Sequence, residues 1–184
     1  MVFVSKKTED IFVVEYPFYN AYLDIETTGL SPLYAEITVV GIYLEGYKDK
    51  IVQLIGEGIT YFNLISALRG VKNIYTYNGS RFDLIFIKER LGIDINAIFN
   101  HCDLMYLCWR GNLYGGLKAV ERKLGIERKL KDVNGESAIV LWERYRKFGD
   151  FQSLKLLLEY NKEDVCNLKI LKKKLEEIFK KTGT

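Results

Sequence analysis

At 184 residues, with 48% hydrophobic and 14% aromatic content, the chain is long enough to bury one sizeable core, and a second full domain would be cramped, so one domain over residues 1–184 is expected. Its 27 Lys and Arg against 24 Asp and Glu leave a net charge of +3, which excludes a global field for polyanions and confines any basic surface to a local patch. Cys102, Cys108, Cys166 and His101 form no zinc-ligand spacing, sparse thiols suit a reducing cytoplasm, and no apolar run reaches the roughly 18 residues of a membrane span or the form of a signal peptide, so a soluble cytoplasmic protein is expected.

Short apolar runs at Val2 to Val4 and Ile11 to Tyr16 flank a polar turn and predict an opening strand pair or irregular arm. Tyr22 to Ile25, Ile37 to Leu44 and Lys50 to Ile55 are rich in β-formers and read as an antiparallel meander. Spacing then turns helical, with Ile59, Phe62, Leu64, Ile65 and Leu68 apolar before Gly70. Asn73 to Tyr77 predicts a strand, Asn78 and Gly79 a turn, and Arg81 to Arg90 a helix closed by Gly92. A strand around Ala97 to Cys102 follows, then helices near Leu104 to Arg110, Leu117 to Leu124 and Ser137 to Phe148. A long helix from about Gln152 reaches the Lys-rich end. A meander followed by alternating strands and helices implies an α/β fold with a mixed five-stranded sheet, part antiparallel and part parallel, flanked by helices.

The segment AYLDIETTGL carries two carboxylates on a strand. Alternation puts Asp24 and Glu26 on one face and Ile25 on the other. Adjacent carboxylates repel and resist burial, so a fold that pairs them supplies a cation, and all-oxygen ligands favour Mg²⁺ or Mn²⁺. The plain alternative is a solvated strand end. In YNGSRFDLIFI, Asp83 sits among Phe82, Leu84, Ile85 and Ile87; it is either a partnered charge or a first-turn residue favoured by the helix dipole. In LEYNKEDVCNL, Tyr160 and Asp164 are four apart and share a helical face with Leu157 and Leu168. Read singly, Tyr160 is a core aromatic and Asp164 a surface partner of Lys162 or Lys169. His101 reads as structural and Asp103 as a helix N-cap. Lys118, Arg122 and Lys123 form a basic helix that either follows a phosphate backbone or is a solvated face.

The ordered series D-I-E-T (Asp24 to Thr27), N-G-S-R-F-D (Asn78 to Asp83) and Y-N-K-E-D (Tyr160 to Asp164) resembles the DEDD superfamily of two-metal nucleases with a ribonuclease-H-like fold, in its tyrosine subgroup. H-C-D-L (His101 to Leu104) and G-G-L-K-A-V-E-R-K-L-G (Gly115 to Gly125) extend the likeness to the YprB-like ribonuclease-H-like domains. The likeness spans roughly residues 20–172 and implies a 3′-to-5′ exonuclease that hydrolyses phosphodiesters of single-stranded DNA or RNA with two Mg²⁺ or Mn²⁺ ions. By the family pattern Asp24 bridges both metals, Glu26 and Asp164 complete the one holding the attacking water, and Asp83 serves the second. Tyr160 orients the water, since a phenol with a pKa near 10 is a poor base at neutral pH.

The same likeness sets Thr27, Thr28, Gly29 and Leu30 against the terminal nucleotide, the first three through backbone amides and Leu30 as a wedge on its base. Asn78 would bond sugar or phosphate and Phe82 stack on a base. The plain alternatives are a T-T-G turn, an N-G turn and a core phenylalanine. Two other functions stay open. One is a catalytically inactive module of the same fold that binds nucleic acid or protein, and the other is an endonuclease.

Overall fold

Runs of alternating β-branched and aromatic residues pair into a single sheet in a computed structural model, which describes residues 18–46 and 48–182. The strands are β1 (Phe18–Thr27), β2 (Ile37–Gly46), β3 (Lys50–Ile55), β4 (Asn73–Thr76) and β5 (Asn100–Asp103). The sheet order is β3-β2-β1-β4-β5. The first three strands form the expected antiparallel meander, while β4 and β5 run parallel to β1. The expected runs at Val2 to Val4 and Ile11 to Tyr16 lie outside the described residues.

Helices α1 (Tyr61–Ala67) and α2 (Asp83–Leu91) and the single turn α3 (Ile95–Ile98) pack on one face. There Leu64, Leu68, Leu84, Phe86, Ile87 and Ile95 meet Ala21, Leu23 and Ile25 of β1. The other face carries α4 (Leu104–Arg110), α5 (Leu117–Leu124), α6 (Gly135–Phe148) and the long α7 (Phe151–Thr182). Tyr22 packs there with residues of α4, α5 and α7, and Val39 with α6 and α7. Period-two alternation along β1 therefore assigns Asp24 and Glu26 to the face crossed by α7, and Ile25 to the opposite core. Among the described residues no helix is long and apolar enough to cross a membrane.

Three boundaries depart from the sequence expectation. The strand expected over Ala97 to Cys102 starts at Asn100, because Ala97 and Phe99 donate their amides to Asp94 and Ile95 and close a helical turn first. Strand β4 ends at Thr76 and α2 starts at Asp83 rather than Arg81. Asn78 has the left-handed φ of 62°, and the Arg81 and Phe82 amides bond back to Asn78 and Gly79, so the turn takes up five residues before the helix begins. Phe62, expected on the apolar face of α1, is 75% exposed. Gly92, at φ 70°, closes α2 as expected.

Asp103 does cap α4, accepting the Met105 amide at 3.1 Å. It does more than that, since the same carboxylate accepts the amides of Asn78 at 2.8 Å and Ser80 at 3.0 Å. One buried side chain thus ties the end of β5 to the turn that leads into Asp83. We expect Asp103→Ala to lower unfolding free energy by about 2–3 kcal/mol, through the lost cap and two unpaired amides, as read by urea denaturation. A change below about 0.5 kcal/mol, the usual range for surface positions, would show that the turn holds its shape without it.

Candidate metal centre and active site

Where β1 ends between the antiparallel β2 and the parallel β4, three chain segments meet. This is the edge of the sheet at which open α/β folds place ligands. The carboxylate oxygens of Asp24, Glu26 and Asp164 lie within 4.8 Å of one another. Glu26 is 6% exposed and Asp164 5%, whereas Asp24 keeps a partly open face. Asp83 enters from the other side of the sheet, where its Oδ1 accepts the amide of Ile25, the residue between Asp24 and Glu26, at 3.0 Å. It adjoins the tight group of three without belonging to it. Tyr160 is buried one helical turn from Asp164 with Leu157 and Leu168, as the four-residue spacing predicts.

Asp24 and Asp164 are held by different groups. Asn161 donates Nδ2 to Asp24 Oδ2 at 3.1 Å, and Gln53 donates to Asn161 Oδ1 at 3.0 Å. This reach needs Gly41 in β2, because a Cβ there would stand 2.1 Å from Asn161 Oδ1. Asp164 is paired with Arg128 rather than with Lys162 or Lys169. Lys169 instead serves Asp49 at 2.7 Å and Glu45 at 3.7 Å. Arg128 bonds Glu121 at 2.6 Å through Nε and 3.1 Å through Nη2, and Asn167 donates to Glu121 at 3.0 Å.

Electrostatics report the crowding. Burial first, and then the charges of Asp164, Asp83 and Glu26, hold the Asp24 carboxyl well above the usual range. Burial followed by Asp164 and Asp83 does the same for Glu26. Burial pushes Asp83 up to about 7, against the amide bonds it accepts, and Asp164 up to about 6, against Arg128. The Tyr160 phenol is raised by burial and then by Asp164, Glu26 and Asp24. It therefore stays protonated at neutral pH, a hydrogen-bond donor and not a base.

The donor set fits hard divalent cations. Three oxygens within 4.8 Å stand a few tenths of an ångström beyond the roughly 4.2 Å that metal–oxygen bonds of about 2.0–2.1 Å allow between ligand oxygens on one ion, a gap that small side-chain rotations close. The nearby cations serve one side of this group: Arg128 pairs with Glu121 and Asp164, and the half-buried Lys118 lies within electrostatic reach of Asp164, Glu121 and Glu163.

The expected substrate contacts are less tightly grouped. Thr27 Oγ1 donates to the Gly29 carbonyl at 2.6 Å, and the Thr28 amide is committed to the Glu36 carbonyl at 3.0 Å. Leu30 is 86% exposed, and Leu33 and Tyr34, which sequence reasoning passed over, stand beside it in the chain at 71% and 88%. Asn78 occupies the turn described above, and Phe82 is half-buried against Phe86 with ring centroids 4.9 Å apart. His101 Nε2 meets Thr76 Oγ1 at 2.9 Å, in keeping with a structural role. Lys118 Nζ lies 4.9 Å from the Tyr160 ring centroid and donates to the Val133 carbonyl, while Arg122 and Lys123 are exposed.

Comparison with known proteins agrees with this architecture. Uncharacterized protein MJ0365 of Methanocaldococcus jannaschii is 29% identical over 165 residues, covering 79% of this chain and 89% of that protein. Among solved structures, Brucella melitensis NrnC bound to pGG superposes with a TM-score of 0.61 at 22% identity, covering 92% of this chain and 77% of that one. The family B DNA polymerase of the hyperthermophilic archaeon Pyrobaculum calidifontis gives 0.64 at 15% identity over 87% of this chain, which spans 25% of the polymerase. These two likenesses are of fold. The family model of the RNase H superfamily matches residues 21–176, and with the mixed sheet β3-β2-β1-β4-β5 it establishes that the chain belongs to the RNase H superfamily.

Proposed function

We propose that the protein is a metal-dependent nuclease of the DEDD type, tyrosine subgroup and YprB-like, acting as a 3′-to-5′ exonuclease on single-stranded DNA or RNA in the cytoplasm. The observation that carries this reading is the convergence of Asp24, Glu26 and Asp164 to within 4.8 Å, with Asp83 and Tyr160 beside them. Two Mg²⁺ or Mn²⁺ ions held by those four carboxylates would supply an activated water and neutralise the leaving oxygen. Brucella NrnC, which shares the fold, is described both with bound Mg²⁺ and with pGG.

The chain's own residues divide the remaining work. Tyr160, kept protonated, donates a hydrogen bond that orients the attacking water. Asn161 fixes the plane of Asp24, and the Ile25 amide fixes Asp83. The exposed Leu30 presents an apolar surface on which a terminal base can rest. Asn78 and Phe82 flank the same end of the sheet, next to Asp83.

End-labelled DNA and RNA oligonucleotides with Mg²⁺, Mn²⁺ or EDTA test the proposal. Stepwise shortening from the 3′ end is expected with metal and not with EDTA. Asp24→Ala should abolish it, and Tyr160→Phe should slow it by about 10- to 100-fold, less than the roughly 100- to 10,000-fold supplied by a group that itself transfers a proton. Cleavage of circular single strands would favour the endonuclease, and metal-independent binding with no turnover the inactive module.

Stability should also depend on pH in a stated direction. Carboxyls raised in the folded state bind more protons there than in the unfolded chain, so stability falls as pH rises from about 4, the unfolded value, to the folded values of about 6 for Asp164 and about 7 for Asp83. Burial lowers the pKa of His101, which acts the other way, one group against four. In EDTA the protein should resist urea better at about pH 5 than at about pH 7.5, and millimolar Mn²⁺ should reverse that order. An Mn²⁺ effect equal at both pH values would contradict the cluster's role.

A further inference from the structure

Arg128 is 9% exposed and lies beyond the end of α5, outside every motif that drew attention in the sequence. Its guanidinium is engaged on two sides. Glu121 holds Nε and Nη2 in a forked pair, and Nη2 also reaches Asp164 Oδ1. Glu121 is in turn held by Asn167, three residues beyond Asp164 and so on the same side of α7. The ring Asp164–Arg128–Glu121–Asn167 is closed, and it starts and ends on one helix.

Only one oxygen of Asp164 is used by this ring. Arg128 takes Oδ1 and leaves the second oxygen without a hydrogen bond among the described residues, while one Asp164 oxygen lies within 4.8 Å of those of Asp24 and Glu26. Arg128 Nη1 has no hydrogen-bond partner, and its nearest carboxylate, Glu163, is 3.8 Å away. An orphaned guanidinium nitrogen inside a folded protein is costly, and it is offset here by the contacts with Glu121 and Asp164, the looser pairing with Glu163 and a place over the Tyr160 ring, 5.7 Å from its centroid. Asp24 is aimed by Asn161 and Asp83 by the Ile25 amide. Asp164 has the same need, and Arg128 meets it with a planar fork that lysine cannot reproduce.

Resting on the nuclease reading above, we propose that Arg128, locked by Glu121, is the positioning residue that orients the Asp164 carboxylate for divalent-cation binding. It touches neither substrate nor the reacting atoms. Partners of this kind behind a metal ligand change metal affinity by about 10- to 100-fold when removed. The bland alternative is a staple, in which the ion pair merely fastens the segment after α5 to α7.

Calorimetric titration of the full chain with Mn²⁺, without nucleic acid, separates the two. Arg128→Met is expected to bind Mn²⁺ about 10- to 100-fold more weakly than wild type. Arg128→Lys keeps the charge but loses the fork; with its stability to urea measured alongside, it should still bind about tenfold more weakly. Leu130→Ala loosens the same segment through the apolar cluster under α6 and should lower stability to urea while leaving Mn²⁺ affinity within about twofold. With oligonucleotide, Arg128→Lys should lower kcat and leave KM unchanged. Wild-type affinity in Arg128→Lys, or tighter binding in Arg128→Met, would overturn the inference and make Arg128 a staple or a repelling charge. No Mn²⁺ binding by the wild type would instead bring down the metal reading itself, and this inference with it.

Discussion

Like charges packed under a helix are the constraint around which this fold is arranged. Two unit charges about 4 Å apart repel by roughly 4 kcal/mol at an effective dielectric of 20, and domains of this size are stable by only about 5–15 kcal/mol. Three carboxylates sharing oxygens within 4.8 Å, with a fourth adjoining, cannot all stay ionised without counter-charge. Protons supply it when cations are absent: burial first, and neighbouring carboxylates second, raise the pKa values of all four groups. Divalent ions supply it more completely and leave the carboxylates charged.

The surrounding structure acts on the direction of those side chains. A glycine in β2 makes room for Asn161, the strand amide between the two β1 carboxylates receives Asp83, and a buried arginine receives Asp164. Each support comes from a different element, so the geometry of the cluster depends on the sheet, α2, α5 and α7 together. A strand end between antiparallel and parallel neighbours is where these elements can converge, since the turns after β1 and β4 open at the same edge.

Much of this arrangement was legible in the sequence, for local reasons. Strand alternation alone put Asp24 and Glu26 on one face, and a four-residue spacing put Tyr160 over Asp164. The meander and the helix-closing glycine at Gly92 carried equally local signals. What stayed hidden depends on distance in the chain. Arg128 lies 36 residues from Asp164, in a charged segment that reads as ordinary surface, and nothing local marks it as buried. Asn161 was in plain view inside Y-N-K-E-D, but its role needs Gly41, and a glycine within a strand signals only some close approach. The helical turn at Ile95–Ile98 was missed because an apolar run that short fits strand and helix equally well. Asp103 was read as a cap from its position, while its two further bonds arise from the parallel pairing of β4 with β5.

Anomalous scattering from crystals grown with Mn²⁺ tests the central claim most directly. Two peaks are expected among Asp24, Glu26, Asp83 and Asp164, about 4 Å apart and within about 2.3 Å of their oxygens, the range of oxygen-ligated divalent ions. Crystals that soak up Mn²⁺ elsewhere, with these carboxylates bonded to one another through shared protons, would contradict it.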